Sequence, residues 1–143
     1  MQQKFRLKPL SKKRAVKKRD YATACKEQDR QAIEERGYIR CESCHKTLIG
    51  VRWGHSHNLS VKHFPQFEAD PENFKPRCQE CHEQLDMPYF EAIVKFKDFK
   101  QLLEYRKKMD IHAYNRWVSC LLAIGVTDYQ YEKDEDCHRE CKN

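Results

Sequence analysis

Glycine is scarce in this chain. The four that occur, Gly37, Gly50, Gly54 and Gly125, stand apart from one another. That excludes the glycine-rich loops of Walker and Rossmann nucleotide binding. Long apolar runs are also missing. The longest stretch, Trp117 to Val126, is interrupted by Ser119. It falls well short of the roughly 20 residues that a membrane helix needs. No apolar run follows the N-terminal charges, which reads against a secretory signal. The lipidation pattern that begins with Gly after the first Met is absent as well. The expectation is a cytoplasmic protein with no membrane partner.

Charge and cysteine are what the 143 residues have in plenty. Charged residues make up 35%, and the net charge is +6. Its placement is uneven. Residues 1–20 hold nine Lys or Arg against one acid, Asp20, for a net +8. The rest of the chain holds 19 basic and 21 acidic groups, for a net −2. A nearly neutral body therefore carries a basic N-terminal arm. Such a block attracts phosphates through counterion release. Lys12, Lys13, Arg14, Lys17, Lys18 and Arg19 are its candidate DNA contacts. The arm is expected to lack fixed structure, or to become helical only on a partner.

The remaining chain divides by texture. Residues 21–37 read as a helix closed by Gly37. Residues 38–87 alternate short extended pieces with turns. Between Leu48 and Leu59, the residues Val51, Trp53, His55 and His57 fall at spacing two, so a strand places them on one face. Residues 65–76 read as a loop, and 79–86 as the start of a helix. The apolar spacing over 88–109 predicts one amphipathic helix, with a second from Ile111 to about Ile124. Together these form a helical extension over 88–127. An acidic tail, 128–143, follows, and the role of its Cys137 and Cys141 stays open.

Eight cysteines are many for this length, and spacing decides their use. Cys41-Glu-Ser-Cys44 and Cys78-Gln-Glu-Cys81 are two C-x2-C knuckles. Two knuckles supply the four thiolates that Zn²⁺ takes in a closed structural site. A redox C-x2-C would sit beside a βαβ pattern, which is absent. The 33 residues between the knuckles exceed the usual zinc-ribbon loop, so something is inserted there.

That insert holds the chemistry. It contains Trp53-Gly-His55-Ser-His57, then Asp70-Pro-Glu-Asn73, and it runs into Cys78-Gln-Glu-Cys81-His82. The order resembles the zinc-stapled HNH nucleases, the ββα-metal group that includes many bacteriophage proteins. The resemblance covers roughly residues 38–87. It implies an α+β fold with a small ββα-metal core and a four-cysteine zinc site, flanked by helices. It also implies a DNA endonuclease or nickase that uses a His base and one divalent cation.

Carried over residue by residue, His57 is the base, Asn73 orients it and His82 binds the catalytic cation. The cation is Mg²⁺ or another divalent ion such as Mn²⁺. The family places Asp or His just before the base, whereas Ser56 stands here. His55 is then a candidate metal ligand, and it is also the alternative base. No sequence-reading module is evident, so specificity is assigned to a phage or host protein partner. For a phage-encoded protein the compartment is the host cytoplasm. The competing reading is a non-catalytic zinc-binding protein that keeps the HNH fold and binds nucleic acid.

Overall fold

The computed structural model describes residues 11–133. Cys137, Cys141, the end of the acidic tail and residues 1–10 of the arm lie outside them. The order of elements is α1 (Lys12–Arg36), β1 (Trp53–His57), a 3-10 turn (Pro65–Phe67), β2 (Phe74–Cys78), α2 (Gln79–Asp86), α3 (Phe90–Ile93), α4 (Phe99–Met109) and α5 (Ile111–Ala123). The α+β class is as expected. Among the described residues, five helices accompany one two-stranded antiparallel sheet. No helix among them is long and apolar enough to cross a membrane.

α1 differs from the sequence expectation. It begins at Lys12 rather than at residue 21, so part of the basic arm is helix. Residues 12–19 are Lys, Arg, Ala and Val, with neither Gly nor Pro. Straight side chains lose little freedom in a helix. Like-charge pairs cost only about 0.2–0.5 kcal/mol each, too little to stop the helix. Gly37 ends it in the left-handed region at φ 81, and its N–H donates to the Ile33 carbonyl at 2.8 Å.

β1 and β2 form a hairpin in the register Trp53↔Cys78, His55↔Pro76 and His57↔Phe74. Those six residues share one face. Val51 precedes the strand and is exposed. The expected 65–76 loop ends early, because Phe74–Pro76 already belong to β2. The spacing of Phe74, Pro76 and Cys78 supplies the shared face that the loop reading missed. α2 follows directly from β2, giving a β-β-α unit.

The predicted helix over 88–109 is broken into α3 and α4. The cause is tertiary. The Lys97 N–H donates to the Ser43 carbonyl at 2.9 Å, which pulls the intervening turn toward the first knuckle. Asp98 is drawn into the same place. Arg77, fully buried, donates to Asp98 Oδ2 at 2.6 Å, to Ser43 Oγ at 2.9 Å and to the Ser56 carbonyl at 2.9 Å. This network fastens the knuckle, the hairpin and the start of α4 together.

α5 matches the sequence reading closely. Asp110 caps its start, with Oδ1 accepting from Ala113 N at 2.8 Å. At its end, Gly125 N donates to the Leu122 carbonyl and Val126 N to the Leu121 carbonyl, a Schellman closure. The main apolar core lies between the knuckles and α2–α5. It contains Leu85, Ile93, Phe99, Leu102, Trp117, Val118 and Leu121.

Candidate functional site

Cys41, Cys44, Cys78 and Cys81 come together as the knuckle spacing predicts. Their sulfurs all lie within 4.8 Å of one another, and Cys44 Sγ and Cys78 Sγ are 3.9 Å apart. A tetrahedral Zn²⁺ with bonds of about 2.3 Å sets its sulfurs about 3.8 Å apart. The group therefore fits zinc. The first knuckle is shaped by one bridge, Arg40↔Thr47, and by His45, which adopts φ 62 at the turn. The second joins β2 to the first turn of α2.

Three of the four thiols are buried, and Cys44 is exposed. Burial pushes the Cys81 thiol well up, and negative charge on Cys41, Cys78 and Cys44 would push it further. Burial also raises Cys41. It acts upward on Cys78 too, but donors at Cys81, Cys41 and Cys44 outweigh it and lower that thiol. Four thiolates repel one another here unless a cation neutralises them.

The histidines lie on β1 and in the first turn of α2. His57 occupies the last position of β1 and is partly buried. Its Nε2 lies 2.9 Å from the Glu68 carbonyl. A carbonyl only accepts, so Nε2 carries the proton and Nδ1 holds the lone pair. Burial pulls His57 below its ordinary 6.5, against a smaller upward push from the Glu68 carbonyl. The ring is therefore neutral at pH 7.

His55 Nε2 lies 2.9 Å from Asp29 Oδ1, and His82 Nε2 lies 3.0 Å from Asp86 Oδ2. Both pairings leave Nδ1 as the free nitrogen. A Cβ built on Gly54 would come 3.9 Å from His82 Nδ1, an ordinary van der Waals distance, so this ring lies against β1. A carboxylate behind the ring is the usual companion of a metal-binding imidazole. Among the described residues, however, the four cysteines are the one set of three or more ligand groups gathered this closely.

Asn73 is 1% exposed and closes the loop between the strands. Its Oδ1 accepts from Leu59 N at 2.7 Å. Its Nδ2 donates to the Leu59 carbonyl at 3.0 Å and the Phe67 carbonyl at 3.1 Å. Its own carbonyl accepts from Asn58 N at 2.7 Å. The side chain thus holds the chain just beyond His57.

No protein-family model, curated protein or solved structure matches this chain. Function is accordingly argued from the site.

α1 brings in residues to which the sequence reading gave no role at the site. The Tyr21 ring packs 5.1 Å from His57 and 5.3 Å from Phe74, centroid to centroid. Gln28 donates to the Pro71 carbonyl at 3.0 Å and the Phe74 carbonyl at 2.9 Å. Asp29 meets His55. Of the expected DNA contacts, Lys12, Lys13, Lys17, Lys18 and Arg19 are exposed on the outer part of α1, and Arg14 lies on the same helix. Tyr21, Asp29 and Glu68 have no motif to announce them. Asp86 had a signal, since it stands four residues after His82 on one helix face.

Proposed function

We propose that the protein is an HNH-type, ββα-metal DNA endonuclease or nickase that hydrolyses phosphodiester bonds. The observation that carries this reading is spatial. His57 ends β1 of a hairpin pinned by Asn73, and the helix that follows bears His82 directly after a zinc-compatible cysteine group. Neutral His57, with Nε2 anchored on Glu68, offers Nδ1 to take a proton from attacking water. The products are 5′-phosphate and 3′-hydroxyl ends.

His82, backed by Asp86, and His55, backed by Asp29, are the candidate ligands of one Mg²⁺ or Mn²⁺. Such a cation would stabilise charge on the phosphate and the departing oxygen. Zn²⁺ on Cys41, Cys44, Cys78 and Cys81 would fix the start of α2, and with it the direction of His82. The cationic end of α1 supplies affinity for the DNA backbone without sequence information.

The test is incubation with supercoiled plasmid and Mg²⁺ or Mn²⁺, with a chelator control. Nicking that is lost in His57→Ala supports the reading. Absence of nicking by the wild-type protein with every divalent metal refutes it. Loss in His55→Ala alone moves the base to His55.

One observation favours a second reading, a non-catalytic zinc-binding protein of the same fold that binds nucleic acid. Ser56 stands where the family carries a ligand, and its buried Oγ has no hydrogen-bond partner. DNA binding without nicking would select it.

A further inference from the structure

Arg106 lies on α4, outside the β-β-α unit. Its donors nevertheless converge on one residue of that unit. Nε donates to Asn58 Oδ1 at 2.8 Å, and an NH2 hydrogen donates to the Asn58 carbonyl at 2.6 Å. Nη1 makes a long contact to the Ala113 carbonyl at 3.5 Å. The guanidinium carbon sits 3.9 Å from the centre of the Trp117 ring. Among the described residues no carboxylate forms an ion pair with Arg106, although Asp110 lies near enough to favour its charge. Burial, followed by the nearby charge of Arg116, pulls its pKa down to about 9.

A partly enclosed cation without an acid partner is a costly element of a core. Here it serves the residue immediately after His57. Asn58 is itself buried, and each of its polar atoms is engaged. Its N–H donates to the Asn73 carbonyl and its Nδ2 to the Leu102 carbonyl at 2.9 Å, while Arg106 takes both oxygens. The end of β1 is therefore held from two sides, by Asn73 on the loop and by Arg106 on α4.

We propose that Arg106 is a positioning residue that, through Asn58, fixes the exit of β1 and so the direction of the His57 ring. The inference rests on the reading of His57 as the proton acceptor. It assigns α4 to the reactive site. Proton transfer tolerates little misplacement, and an error of about 1 Å costs on the order of 10²-fold in rate. The paired donors match two oxygens of one residue, a geometry that a lysine ammonium does not reproduce.

The experiment compares the full-length zinc-loaded protein with Arg106→Met and Arg106→Lys. Two readouts are taken below the melting temperature of each variant. The first is the ¹⁵N signals of the His57 ring, recorded without any added divalent ion. The wild type should show one tautomer, with the proton on Nε2. Arg106→Met should show a mixture, and Arg106→Lys an intermediate state. The second readout is plasmid nicking, in which kcat should fall by about 10²-fold in Arg106→Met with KM within about twofold.

A folded Arg106→Met with unchanged ring signals and unchanged kcat overturns the proposal and leaves Arg106 as packing alone. If Arg106→Met fails to fold, Arg106→Lys and Asn58→Ala carry the same comparison. If the wild type never nicks, the nuclease reading fails on its own, and the ring signals still decide whether Arg106 sets the tautomer.

Discussion

Asn73→Ala should be among the most damaging single substitutions outside the cysteines. The side chain makes three hydrogen bonds, two of them to the backbone of Leu59, which is 0% exposed. Truncation leaves the Leu59 N–H and carbonyl buried without partners, at about 1–3 kcal/mol each. The Phe67 carbonyl is less enclosed, and its lost bond adds about 0.5 kcal/mol. The sum is roughly 2.5–6.5 kcal/mol, a large share of the 5–15 kcal/mol that holds a typical domain. In a thermal melt this corresponds to a drop of about 8–25 °C.

A near-isosteric partner sharpens the test. Asn73→Asp keeps the acceptor for Leu59 N but turns the amide donor toward two carbonyls into a second acceptor. The new carboxyl favours its protonated form, so its folded pKa lies above the unfolded value of about 3.9. Its stability is fully present below pH 3.9 and is lost as pH rises through the raised folded pKa. Relative to wild type, Asn73→Asp should lose stability between pH 4 and 8, whereas the deficit of Asn73→Ala stays flat. The measurement is the urea midpoint across that range. A cost under about 1 kcal/mol for Asn73→Ala, or parallel pH profiles for the two variants, would refute the assignment of Asn73 as the loop's clasp.

Other outcomes follow from the same geometry. Asp98→Ala should cost about 3–5 kcal/mol by urea unfolding, because Arg77 is left buried and charged; adding Arg77→Met should recover part of that loss. Metal analysis of the purified protein should find about one tightly held Zn²⁺, and thiols that titrate freely with no zinc present would contradict the cysteine site. The rate of plasmid nicking should fall on acidification with a midpoint below 6.5, since burial lowers His57 and its neutral form persists to lower pH; a midpoint above 6.5 would point to another group. Deleting residues 1–20 should weaken DNA binding and flatten its salt dependence, and an unchanged salt slope would remove the arm from the interface.

The parts legible in the sequence were those set by local spacing. The two knuckles, the helix after Cys78 and the last helix with its Gly125 stop all depend on residues close together in the chain. The break between α3 and α4 was hidden because its cause is distant. Ser43 and Arg77 claim the 97–98 turn, while the apolar spacing runs on through it. The docking of α1 was hidden for a different reason. Its apolar face is thin, only Tyr21, Cys25 and Ile33, which says that it leans on something but not on what, and Tyr21, Gln28 and Asp29 act singly through a ring contact and hydrogen bonds. Arg106 left a faint trace, as a cation falling on the same helical stripe as Leu102 and Leu103. Such a residue has to find acceptors inside the fold.

The continuity of α1 changes what the basic segment can reach. A flexible segment of 20 residues can extend about 60–70 Å and sample DNA far from the cut. A rod rising about 1.5 Å per residue places Lys12 only about 14 Å along the axis from Tyr21, and Arg19 about 3 Å. Tyr21 rests on His57. If His57 faces a reacting phosphate as proposed, cations at that spacing would act on it from about one Debye length, about 10 Å at 0.1 M salt. Under the proposed nuclease reading, the helix would work as a short ruler rather than a tether, deepening the potential at the cut and adding little to the length of DNA covered.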